Sequence, residues 1–136
     1  MSKTFIVEMT ICDAFDGIKH FSCTEEIDEN GETVFIARRD NTQFRCYRSD
    51  DIPETEEWRV DPTKAQELIA QLELAPVPLC PPFAMGLDGT TVAIKITRGF
   101  NSAEYTFWEE QPEQWENLRM ISWFFKKALH DDSQPI

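Results

Sequence analysis

Residues equipped for chemistry are few and scattered in this chain. His20 and Cys23 stand three apart, a spacing open to a metal ligand pair or to a thiol–imidazole pair. The only other histidine is His130, in the terminal stretch, so a serine or cysteine nucleophile has little choice of base. Cys12, Cys23, Cys46 and Cys80 show no Cys-x-x-Cys spacing, which removes the zinc-ribbon and thioredoxin readings. The expectation is free, largely buried thiols, with no metal site and no cofactor. Gly86-Leu87-Asp88-Gly89 is neither a P-loop nor a dinucleotide fingerprint and reads as a turn before a strand. Glu109 and Glu110 beside Trp108 form a carboxylate pair that could grip a sugar or a cation. Their place ahead of Pro112 reads instead as acidic charge leading into a helix. The expectation is therefore a protein that is not an enzyme.

Charge carries more information. Asp and Glu total 25 against 13 Lys and Arg, a net charge of −12. Phosphates need cations, so direct nucleic-acid binding is not expected. The same charge suits electrostatic steering toward a basic partner. Acids concentrate in the Glu25–Glu29 run and in Ser49–Asp61, which holds Asp50, Asp51, Glu54, Glu56 and Glu57. The second stretch reads as a loop, with Trp58 as an apolar anchor within it. No run of about 18 apolar residues is present, so no membrane span is expected. Met1-Ser2-Lys3-Thr4 leads into a strand pattern without a signal-peptide core, which points to the cytoplasm.

The elements that would position these groups follow from periodicity. Thr4–Cys12 alternates with Phe5, Val7, Met9 and Ile11 on one face. Ile18–Thr24 reads as a second strand, and Asn30-Gly31 is a strong hairpin signal. Glu32–Arg38 reads as a strand, Asp40-Asn41 as a turn, and Gln43–Arg48 as a further strand, completing a meander. Asp61-Pro62 is a helix start, and Ala65, Leu68, Ile69 and Leu72 recur at helical spacing. Pro76, Pro78, Pro81 and Pro82 break regular structure; Val77, Leu79 and Phe83 would pack that connector onto the surface. Thr91–Arg98 and Ser102–Trp108 alternate around Gly99-Phe100-Asn101 and read as a hairpin. From Pro112 a long helix places Trp115, Leu118, Ile121, Ser122, Phe125 and Leu129 on one stripe, with Met120, Trp123 and Phe124 on the other side. These elements predict a single α+β domain over residues 1–136, an antiparallel sheet packed against two helices.

The stretch Asp88-Gly89-Thr90-Thr91, Gly99-Phe100-Asn101, Tyr105-x-Phe107-Trp108 and Pro112-x-x-Trp115-x-x-Leu118 resembles a pattern that recurs in small bacterial proteins. It consists of turn glycines and core aromatics, and no catalytic residue is carried over from it. In size, acidity and lack of an active-site motif the chain is similar to immunity proteins of bacterial toxin systems, including contact-dependent growth inhibition. That resemblance implies a cognate toxin as partner, usually a basic nuclease domain whose active site is blocked. The expected contact set is Asp50, Asp51, Glu54, Glu56 and Glu57 for charge, with Trp58 or the Met120, Trp123 and Phe124 face as anchor. Two alternatives remain: a homodimeric structural module using the second helix face, and a small-ligand binder or hydrolase.

Overall fold

The computed structural model describes residues 5–15, 17–44, 55–86, 89–108 and 112–128. Three strands come first, β1 (Phe5–Asp13), β2 (Gly17–Ile27) and β3 (Thr33–Phe44). Strand β4 (Thr55–Val60) leads into helix α1 (Pro62–Leu74). The hairpin β5 (Thr90–Arg98) and β6 (Asn101–Trp108) follows, then a 3-10 segment (Glu113–Leu118) and helix α2 (Arg119–Ala128). All strands join one six-stranded antiparallel sheet in the order β4-β3-β2-β1-β5-β6. The architecture is α+β, as the periodicities predict.

Side-chain alternation divides the sheet into two unlike faces. On one, Ala37, Cys23, Val7, Ile96 and Ala103 lie in register from β3 across to β6. The next row on that face runs Phe21, Met9, Ile94 and Tyr105. Val7, Ala37 and Val92 are fully buried there, under α1 and α2. Phe125 of α2 reaches the sheet at Phe21, ring centroids 5.7 Å apart. The other face is polar. One row across it reads Glu57, Arg38, Ser22, Glu8, Lys95 and Glu104, so that opposite charges sit on neighbouring strands.

Helix α1 begins where the sequence signals it. Asp61 caps the first turn by accepting from the Thr63 N–H at 2.9 Å, Pro62 occupies the first helical position, and Ala65, Leu68 and Ile69 are buried. Hairpin β5–β6 also forms as expected, with a tighter turn. Asn101 already pairs with Arg98, leaving Gly99 and Phe100 as the loop. Gly99 has φ of 62°, a left-handed conformation that a residue without Cβ adopts at little cost.

Several expectations are corrected. Asp40-Asn41 does not turn the chain, because β3 continues through it to Phe44. Asp40 stands opposite His20 and Thr55 in the sheet, while its carboxylate accepts from the Thr42 N–H and hydroxyl. Residues 45–48, expected as a separate strand, lie outside the described residues. Thr55–Val60 is an edge strand rather than loop, with Glu56, Trp58 and Val60 opposite Arg39, Ala37 and Phe35. The long helix from Pro112 is two elements. Trp115 leaves helical geometry at φ −107° and ψ 18°. This turn sets its indole edge-on to Tyr105 at 5.6 Å and lets its N–H donate to the Pro78 carbonyl at 3.4 Å. Trp115, Leu118, Ile121, Ser122 and Phe125 are all buried, as the stripe predicts; Leu129 lies outside the described residues.

The connector after α1 is held at Pro76, whose carbonyl accepts from the Asn117 amide at 2.7 Å, and at Val77, which packs on the core. Leu79 and Phe83 do not pack as expected but stand exposed, as do Leu74 and Met85. Its end passes so close to Trp108 that a Cβ at Gly86 would meet the indole at 1.9 Å.

Candidate interaction surface

The His20–Cys23 spacing falls on a strand, where positions three apart point to opposite faces. Cys23 faces the core, and burial pushes its thiol up to about 12, which disfavours the thiolate that nucleophilic attack needs at neutral pH. His20 faces the polar side. Its Nδ1 lies 2.8 Å from the Thr10 hydroxyl and its Nε2 lies 3.5 Å from Glu8, so both ring nitrogens already have neighbours. No group of three His, Cys, Asp or Glu side chains suited to a metal occurs among the described residues. Cys12 and Cys80 are exposed and free, contrary to the expectation of largely buried thiols. Cys46, His130, Glu109, Glu110 and the Leu87-Asp88 part of the glycine turn lie outside the described residues.

The expected acidic contact set divides. Asp50, Asp51 and Glu54 lie outside the described residues. Glu56 and Glu57, which looked free in the sequence, are held in ion pairs across the β3–β4 edge. Glu56 pairs with Arg39, both side chains being largely buried. Glu57 accepts from Arg38 Nε at 2.9 Å, while Arg38 also donates to Glu26 at 2.8 Å. Trp58 is half-buried against the core, as an anchor within the fold would be.

The Glu25–Glu29 run ends β2 and enters the β2–β3 turn. Asp28 organises that turn. Its carboxylate accepts from the Glu32 and Asn30 N–H groups, both at 2.9 Å. Arg59 reaches it at 3.1 Å. These donors, the Glu32 N–H foremost, hold the Asp28 carboxyl below its ordinary range. Glu29 and Glu32 stand exposed at the tip.

The second helix face behaves differently from the expectation of one uniform patch. Met120 and Phe124 pack on the margin of the core, and Trp123 remains 47% exposed with the Lys126 ammonium 5.2 Å from its ring centre. A groove separates α1 from α2. It comprises cavities of about 260 Å³ and about 240 Å³ that share Lys64, Phe124 and Lys127. The start of α1 faces the end of α2 across it, so the two helices run in opposite directions. The sequence pattern marks Trp123 and Phe124 but not Lys64, because nothing in the α1 repeat says which flank meets the second helix.

The β6 edge forms a third surface. Counting alternation from the closing pair Arg98–Asn101, the backbone groups of Ser102, Glu104 and Thr106 point away from β5, as in any antiparallel ladder. Beside this edge, on the helix-bearing side of the sheet, lies a cavity of about 320 Å³ bounded by Phe5, Leu72, Ile96, Ala103 and Tyr105, with the Arg98–Glu73 ion pair also lining it.

No helix among the described residues is long and apolar enough to cross a membrane. No protein-family model matches the chain, and no curated protein matches it either.

Proposed function

We propose that this chain is a non-catalytic binding protein of the bacterial toxin-immunity kind, which docks on a basic cognate toxin in the cytoplasm and blocks it. The observation that carries this reading is the distribution of its cations. Arg38, Arg39, Arg59 and Arg98 are each occupied in ion pairs within the fold. The net charge of −12 therefore reaches solvent mainly as unneutralised carboxylate, which steers a basic partner and repels nucleic acid. The exposed Glu29 and Glu32 at the β2–β3 tip supply part of that field.

The test is binding to the product of the neighbouring toxin reading frame, measured by surface kinetics at several salt concentrations. Association is expected to slow as salt rises, because screening shortens the reach of the charges to about 8 Å at physiological ionic strength. Replacing Glu29 and Glu32 by Lys should slow it further while leaving dissociation and melting nearly unchanged. Absence of a neighbouring toxin, or a toxin that is neither bound nor inhibited, would remove the immunity reading. A second reading, a homodimeric module, is favoured by the β6 edge, which no other strand among the described residues pairs.

A further inference from the structure

The groove between α1 and α2 is unlike the rest of this acidic molecule. Its floor is apolar, with Phe124, Met120 and the buried Leu68 below and the exposed Trp123 at the side. Its walls carry Lys64 from α1 and Lys127 from α2. Both lysines are exposed, and neither forms an ion pair among the described residues. Arg38, Arg39, Arg59 and Arg98 find carboxylates, so Lys64 and Lys127 belong with the cations left available to a partner, and these two share one apolar groove. Like charges gathered on one groove repel each other until an anion enters between them. Two acids also border the groove. Asp61 is committed to capping α1, and Glu67 alone offsets one lysine.

We propose that this groove receives an acidic amphipathic helix from a partner protein. A trough between two helices is the shape that a third helix fills, laying an apolar i, i+3, i+4, i+7 stripe on the floor. From Lys64 to Gln71 the wall on α1 runs about 10 Å at about 1.5 Å per residue, so the docked segment is about two turns long. Glu or Asp residues flanking its stripe would meet Lys64 and Lys127, and an apolar side chain would cover Trp123. A second copy of this chain is a poor occupant, because a two-fold contact through the groove would oppose the same lysines. The proposal goes beyond the toxin reading and does not depend on it, since the surface is different and the sign of the partner's charge is reversed.

The probe is a displayed library of helix-forming peptides selected against the full chain. Enriched sequences should carry three or four apolar residues at helical spacing, with Asp or Glu on both flanks. A synthetic copy of the best peptide, followed by fluorescence anisotropy, should lose affinity by about tenfold or more on the double substitution Lys64→Glu with Lys127→Glu, and by a similar factor on Trp123→Ala. Amide shifts on titration should concentrate in α1 and α2. All these positions are exposed, and unchanged thermal melts of the variants would confirm intact folding. The proposal is overturned if no peptide is enriched, if enriched peptides are neutral or basic, or if the substitutions leave affinity unchanged. It is equally overturned if the chain forms a dimer in sedimentation that Trp123→Ala disperses and Glu104→Pro leaves intact, which would place a second copy in the groove.

Discussion

Asp28 shows how much one side chain does in a turn. Two backbone N–H groups and Arg59 converge on its carboxylate, and the turn backbone closes with the Asp28 N–H on the Glu32 carbonyl at 2.8 Å. Because these contacts favour the charged form, the Asp28 carboxyl titrates below its unfolded value of 3.8. Its contribution to stability is complete above the unfolded value and disappears as pH falls through the folded one. Asp40 adds in the same direction, held low chiefly by the Thr42 N–H. Asp28→Ala should therefore lower the urea midpoint at pH 7. The gap from the parent chain should close progressively once the pH drops below the ordinary carboxylate range. Urea unfolding followed by circular dichroism from pH 7 down to strong acid measures it. A gap independent of pH would show that the turn, and not the charge, carries the effect. Asn30-Gly31 was legible as a turn from residue type alone. The role of Asp28 was not, since its strongest contacts are made with backbone.

At the scale of elements, legibility followed the length and purity of the pattern. Helix α1 and the β5–β6 hairpin were readable because each has a strong local signal, Asp61-Pro62 at the start of the one and Gly99 in the turn of the other. Strand β4 was hidden because its inward positions are Glu56, Trp58 and Val60, and a carboxylate in that row breaks the apolar alternation. The strand's partners all lie on β3, distant in sequence, where Arg39 pairs with Glu56 and Ala37 and Phe35 stand opposite Trp58 and Val60. The 3-10 segment was hidden because Trp115 and Leu118 suit a regular helix equally well; its irregular geometry is tied to Tyr105 and Pro78, which no local pattern shows. The helix layer offers a direct check. Leu68 and Phe125 are buried at 4% and 1% exposure, and truncations of such side chains typically cost about 2–5 kcal/mol through lost burial and cavity formation. Leu68→Ala and Phe125→Ala should each shift the urea midpoint accordingly. Trp123→Ala, on the same helix as Phe125, should change stability by no more than about 0.5 kcal/mol, as exposed positions do. Equal losses at Phe125 and Trp123 would mean that the inner and outer faces of α2 are wrongly assigned.

For the whole molecule, the sheet has two ends, and they are treated differently. At β4 the ion pairs Arg39–Glu56 and Arg38–Glu57 load the edge with charge, a common way of discouraging further strand addition. At β6 the sequence Asn-Ser-Ala-Glu-Tyr-Thr-Phe-Trp carries a single charge over eight residues, with an apolar cavity alongside. Such an edge is a template for another strand, with backbone groups giving affinity and the cavity taking alternate side chains. The homodimer reading places a second β6 there, antiparallel across a two-fold axis. Pairing Glu104 with its own copy would oppose like charges, so the favoured registers centre on Ala103 or Tyr105, whose side chains border the cavity. The chain should then show a concentration-dependent dimer in sedimentation equilibrium. Glu104→Pro should abolish the dimer without loss of fold, because the Glu104 N–H points away from β5 and serves no bond among the described residues. Thr106→Lys should weaken it by placing charge on the same edge. A chain that stays monomeric up to about 100 μM, far above the micromolar range in which stable dimers form, removes this reading and leaves β6 as a free edge.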